Sequence, residues 1–176
     1  MSGHNKWSQI KHKKGATDQK RGALFSKLAI AITAAAKNEL NPQFNPHLRS
    51  AIDKAKELLM PNDNIERAIQ RASNKNEDLD ELLFESYGPG NTALLIEAIT
   101  DSRNRTVSEI KKLLSDHHAK WAENGSVLWA FEQSPDKNWT AKFPLDLSVE
   151  DKGKLTKLLD ALDGRADVQR VITNAN

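Results

Sequence analysis

The chain has no cysteine, one tyrosine, two methionines and no apolar run near the roughly 18 residues of a membrane span. Without cysteine there is no disulfide, no thiolate metal site and no cysteine nucleophile. That usage fits a reducing compartment, and the expectation is a cytoplasmic chain. The amino-terminal stretch is basic, but no apolar segment follows it, so it does not read as a secretory signal. A mitochondrial presequence would read as an Arg- and Ser-rich amphipathic helix, which Lys11, His12, Lys13, Lys14 and Gly15 do not. Catalytic signatures are equally scarce. His117 and His118 are neighbours on a predicted helix and point about 100° apart, so one face cannot bring both to a metal. There is no paired HxxxH, nucleophile elbow or Walker sequence, and Gly88-Pro89-Gly90 precedes a strand-like run rather than a helix. The expectation is a non-enzyme that needs no metal, cofactor or small-molecule substrate and no membrane.

What is present is charge, unevenly placed. The formal net charge is only +2, yet residues 1–75 hold 14 Lys/Arg against 6 Asp/Glu, and residues 76–176 hold 12 against 18. The basic excess is densest in residues 6–22, where Lys6, Lys11, Lys13, Lys14, Lys20 and Arg21 face a single acid, Asp18. A solvated surface would carry interspersed acids. Clustered cations neutralise phosphates and release counterions, so this segment reads as an arm for a polyanion. Gly3, Gly15 and Gly22 leave its backbone free to conform. Trp7 either stacks on an unpaired base or, with Ile10, clamps the arm to the body of the protein; packing is the commoner use of a large aromatic.

Behind the arm, Thr17 can cap a helix with an apolar stripe through Leu24, Phe25, Leu28, Ala31, Ile32 and Ala35. Asn45 and Pro46 open a second helix with Leu48, Ile52, Ala55 and Leu59 inward, and residues 63–72 form a short third. These make a three-helix bundle. Residues 73–80 are polar and read as a connection. Then the period changes: residues 82–87, 92–99, 127–131, 139–143 and 168–173 read as strands, and 106–119 and 148–164 as helices. From Thr92 the order is β-α-β-β-α-β, a ferredoxin-like split βαβ domain, with the strand at 82–87 added in front. The fold class is therefore α+β. The predicted division is an arm plus bundle over 1–75 that binds nucleic acid, a linker over 76–80, and the sheet domain over 81–176.

A second candidate constellation is Asp101-Ser102-Arg103-Asn104-Arg105-Thr106, between a strand and a helix. Two arginines and an amide at a helix start can hold a phosphate. Equally, Asp101 and Asn104 shape a turn, the arginines are solvated and Thr106 caps the helix. Trp129 and Phe131 fall on one face of a strand, a weak hint of an RNA-stacking sheet unless that face is covered by the helices.

Gly3-His4-Asn5-Lys6-Trp7, Ile10-Lys11-His12-Lys13-Lys14 and Lys20-Arg21-Gly22 resemble the opening of the YebC family, which includes bacterial YebC/PmpR proteins and a mitochondrial translational activator of a cytochrome oxidase subunit. The resemblance continues through Asn45-Pro46-His47-Leu48-Arg49, Met60-Pro61, Ile65-Glu66-Arg67-Ala68-Ile69, Tyr87-Gly88-Pro89-Gly90, Ser102-Arg103-Asn104-Arg105-Thr106, Gly125-Ser126-Val127 and Asp167-Val168-Gln169-Arg170-Val171. It implies a regulator of gene expression. The leading expectation is a translation factor on the ribosome, touching ribosomal or transfer RNA; the alternative is a transcriptional regulator on promoter DNA. The candidate contacts are His4, Lys6, Trp7, Lys11, His12, Lys13, Lys14, Lys20, Arg21, Arg49, Arg103, Asn104 and Arg105. Family members usually carry a third domain inserted between two central strands of the second. Here Phe131 reaches Trp139 through a short turn, which implies a short form. Ile30-Ala31 stand where an Arg-Glu pair is frequent, and His47 where an arginine is common.

Overall fold

A computed structural model describes residues 18–74 and 78–176. Helix α1 (Asp18–Ala36) is followed by α2 (Pro46–Glu57) and α3 (Asn62–Arg71). Asn45 joins the first two. Its Oδ1 accepts from the Leu48 amide at 3.0 Å as the N-cap of α2, and its Nδ2 donates to the Ala35 and Glu39 carbonyls at 2.7 and 2.8 Å. One side chain thus closes the end of one helix and the start of the next. Leu28, Ile32, Leu48, Ile52 and Ile65 are buried together on the inward faces that the periodicity predicts, with Met60 beside them; Leu59, expected to face inward, points to solvent instead, because the helix ends before it. Thr33, inside α1, donates to the Ala68 carbonyl at 2.9 Å and ties α1 to α3.

Between α2 and α3 the chain turns at Leu59, which has φ +60° and is 73% exposed. The Met60 amide donates back to the Ala55 carbonyl at 2.9 Å, the closing bond of a left-handed helix end. A glycine normally takes this position, because a Cβ there meets the neighbouring carbonyl. Leu59→Gly is expected to raise the stability of the chain by about 0.5–1 kcal/mol, since the side chain buries little to offset the strain. A urea midpoint unchanged or lowered would contradict this.

The second unit opens with β1 (Asp80–Tyr87) and β2 (Ala93–Thr100), antiparallel neighbours joined through Gly88-Pro89-Gly90. Gly90 has φ +66°, and a Cβ there would come within 2.6 Å of Leu147 Cδ2, so the turn favours glycine and another residue would have to displace that leucine. Helix α4 (Arg103–Asp116), β3 (Lys120–Ala122), β4 (Phe131–Gln133), β5 (Trp139–Ala141), α5 (Val149–Asp163) and β6 (Val168–Thr173) follow. The main sheet is antiparallel with the order β3-β1-β2-β6, while β4 and β5 form a separate hairpin. Along β2, Leu94, Ile96 and Ala98 face α4 and α5, packing with Ile110, Leu114, Leu158 and Leu162. Ala93 and Leu95 face the other way, under Val127, Ala130 and Phe131.

The α+β class, the three leading helices and the antiparallel sheet with α4 and α5 packed together against it agree with the sequence-based reading. The strand inventory differs. The strand read as an addition in front is an interior strand of the sheet, paired on both sides. The segments read as its central pair leave the main sheet and cover its back. Residues 128–130 are a 3₁₀ turn rather than strand, and Trp129 is exposed with its ring 5.6 Å from that of Phe143. Phe131 is buried on the face away from the helices, so the two aromatics do not share a stacking surface. The hairpin is closed by a turn in which the Ser134 amide donates to the Asn138 carbonyl at 2.9 Å. Glu97 pins it to the sheet, accepting from Trp139 Nε1 at 3.0 Å and from Arg170 at 2.7 and 2.9 Å. No helix among the described residues is long and apolar enough to cross a membrane.

Candidate nucleic-acid interface

Of the candidate contacts, His4, Lys6, Trp7, Lys11, His12, Lys13 and Lys14 lie outside the described residues, as does Thr17, the expected cap. Lys20 and Arg21 are exposed in the first turn of α1. The Arg21 guanidinium lies 5.5 Å from the centroid of Phe25, one turn further on. Arg49 is exposed on α2 and donates to the Pro42 carbonyl at 3.2 Å.

Asp101 to Thr106 is not a loop ending in a threonine cap. Helix α4 begins at Arg103 with Ser102 at the N-cap, and Thr106 is a fully buried residue of its second turn. Successive residues on a helix diverge by about 100°. Arg103 and Asn104 accordingly line a shallow depression of about 450 Å³ with Glu81, Leu83 and Trp121. Arg105 instead lines a larger groove between the bundle and the sheet, where it pairs with Asp101 at 2.5 Å. The three side chains therefore do not converge on one anion.

Thr106 has a different task. Its hydroxyl donates to Asp167 Oδ2 at 2.8 Å and lies 2.9 Å from Thr100 Oγ1. Arg165 donates to both Asp167 oxygens, at 2.9 and 2.8 Å, and also reaches Glu109. Burial pushes the Asp167 carboxyl up, but the hydrogen bonds from Arg165 and Thr106 and the guanidinium charge outweigh it and hold it below its ordinary value. The hydrogen bond to Asp167 is the main reason that Arg165 is held above its own ordinary value. The SRNRT and DVQRV motifs are in this way the two halves of one clasp.

The groove, about 890 Å³, separates α1 and α3 from the starts of α4 and β6. Its bundle wall carries Asn64, Arg67 and Arg71, none of which the sequence reading names as a contact, although Arg67 falls in a quoted motif. Their signal was present: Arg67 and Arg71 are four apart on the face of α3 opposite Ile65. Lys27 of α1, only 5% exposed, makes a buried contact between the two units. Its Nζ donates to both the carbonyl and the carboxylate of Asp163, each at 2.8 Å, at the carboxyl end of α5, where a cation meets the helix dipole.

Comparison with known proteins gives the groove and the arm a context. Residues 5–75 match the TACO1/YebC protein N-terminal domain, and residues 79–135 the TACO1/YebC second and third domain. A probable transcriptional regulatory protein of Solibacter usitatus is 52% identical over 135 residues, covering 76% of this chain and 54% of that relative. One from Chlorobium phaeobacteroides is 47% identical over 164 residues, covering 92% and 64%. The chain thus spans about half to two thirds of the length of these relatives. The crystal structure of a conserved hypothetical protein from Aquifex aeolicus superposes with a TM-score of 0.85 at 31% identity, covering 97% of this chain and 96% of that one. On these matches to both units, the chain belongs to the TACO1/YebC family.

Proposed function

We propose that this chain is a regulator of gene expression that grips RNA on the ribosome, with residues 6–21 as the grip and the folded units as its frame. The observation that carries the reading is the density of that segment: six cations against one acid, running directly into α1, where Lys20 and Arg21 are exposed. Folded RNA is recognised by shape and phosphate, which suits a Lys-rich arm beside a compact bundle. Arg49 and the arginines of α4 are further phosphate contacts in this reading, and the bundle with its arm is the nucleic-acid-binding unit. No catalysis, cofactor or small-molecule substrate enters.

The test is co-sedimentation with ribosomes across a salt series. If about five phosphates are engaged, log affinity falls against log salt with a slope of roughly −3.5 to −4.5. Replacing Lys11, Lys13 and Lys14 together with Ala is expected to weaken binding by about 30-fold and to flatten that slope by about 2. Wild-type retention in the triple variant would refute the reading. The names of the relatives favour a second one, transcriptional regulation on DNA. It requires a promoter duplex to outcompete random duplex by about 10³ or more, and equal competition would exclude it.

A further inference from the structure

The groove between the bundle and the sheet has the chemistry of a seat for one flat, apolar, anionic unit. At about 890 Å³ it falls within the roughly 300–1,000 Å³ of small-ligand clefts. Phe25, Ala29, Met60 and Leu79 give it an apolar lining, and Asn64 adds an amide that can both donate and accept. Its two walls differ in charge. On the sheet side Arg105 is paired with Asp101, and Arg165 is held between Asp167 and Glu109. On the bundle side Arg67 meets no carboxylate among the described residues: its Nε donates to the Asp63 carbonyl at 3.2 Å, and the side chain is exposed. Positive charge is therefore available at Arg67, beside an apolar floor.

The groove also begins beside the described end of the basic segment, at Arg21. Arg21 lies over Phe25, and Phe25 lines the groove, one helical turn or about 6 Å along α1. A strand whose phosphates meet Lys20 and Arg21 is one helical turn from the groove. Resting on the reading that the arm holds RNA, the geometry points to the groove as the seat of one unpaired nucleotide of that strand, its base against the apolar lining and its phosphate at Arg67. A duplex cannot use the seat, because its bases are stacked and paired. The arm supplies affinity without choice, and the groove makes the protein prefer an unpaired strand.

The experiment uses the full chain and fluorescence anisotropy at about 150 mM salt, with three probes: a single-stranded RNA of about twelve nucleotides, a duplex of that sequence, and AMP. The wild type is expected to bind the single strand at least about tenfold more tightly than the duplex. Arg67→Ala removes the phosphate partner. Ser26→Trp fills the groove from an exposed position of α1 and changes no charge. Each is expected to weaken the single strand about tenfold and leave the duplex as in the wild type. Circular dichroism at wild-type strength confirms that both variants are folded. If folded variants keep the single strand at wild-type affinity, or lose both probes equally, the assignment is overturned. AMP binding more tightly than the strand identifies a pocket for a free nucleotide and overturns it as well. The Lys11, Lys13 and Lys14 variant separates the two readings. Undiminished duplex binding there refutes the arm while the Arg67 comparison still judges the groove, and a wild type that binds neither RNA refutes both.

Discussion

Glu85→Ala is expected to lower stability by about 3 kcal/mol and to release the β4–β5 hairpin from the back of the sheet. Glu85 is an interior residue of β1, only 4% exposed, and it meets no cation among the described residues. Backbone amides hold its carboxylate: Oε1 accepts from the Gly125 amide at 2.5 Å, and Oε2 from Val127 and Leu128 at 2.7 and 2.9 Å. Two effects oppose each other on removal. Losing a buried carboxylate relieves its desolvation, worth several kcal/mol. Against this, three amide donors lose their acceptor, at about 1–3 kcal/mol each, and a cavity opens under the loop. The second effect wins because three amides beside the buried Val127 are left without an acceptor. The loop's other side-chain hydrogen bonds, from Tyr87 Oη and Trp129 Nε1 at 2.9 and 2.8 Å, both go to the Ser126 carbonyl and cannot replace it. A loss of about 3 kcal/mol lowers Tm by roughly 6–12 °C for a chain of this size. Glu85→Gln keeps one acceptor and turns an NH2 group toward backbone donors, so its cost is expected near half that of the alanine. Thermal unfolding of the two variants checks both magnitude and order. An alanine variant within about 1 kcal/mol of the wild type would show that the loop is held by packing alone.

The same carboxylate explains where sequence reading succeeded and where it failed. Elements with a cap and several turns of period were legible: Asn45-Pro46 before α2, Ser148 accepting from the Asp151 amide before α5, and the leucines of α5 at three- and four-residue steps. Strands of three residues carry no period, so β3 was invisible and β4 and β5 were assigned to the wrong sheet. Residues 127–131 have the apolar, aromatic composition of a strand. They turn instead because Glu85, about 40 residues earlier, gathers their amides. The candidate site divides along the same line. That Lys20, Arg21, Arg49, Arg103, Asn104 and Arg105 are exposed was readable from charge and spacing. That Arg105 parts from Arg103 depended on a helix starting three residues earlier than expected. That Arg67 overlooks a groove depended on Lys27 meeting Asp163, 136 positions away, which no local pattern encodes.

Asp167→Asn is expected to cost about 3 kcal/mol at neutral pH, and the cost should shrink in acid. Asp167 is 9% exposed and closes a chain of donors. The Ser102 amide donates to Thr100 Oγ1 at 3.0 Å, and the Thr100 and Thr106 hydroxyls are 2.9 Å apart. Because each hydroxyl has one proton, and that of Thr106 goes to Asp167, the proton between the two belongs to Thr100. An amide at 167 offers one acceptor where two oxygens now receive three donors, and it leaves Glu109 as the carboxylate that Arg165 meets among the described residues. The sign of the pH dependence follows from the carboxyl being held below the value of 3.8 that it has when free. Its contribution is whole above that value and is lost as pH falls through the lower folded one, when the native carboxylate takes up a proton. Urea midpoints of wild type and variant should therefore differ by a constant amount from about pH 7 to 5 and converge below about pH 4. A difference that widens in acid would mean that the folded state prefers the protonated acid, and the clasp between the two motifs would then be hydrogen-bonded through a neutral carboxyl rather than held by charge.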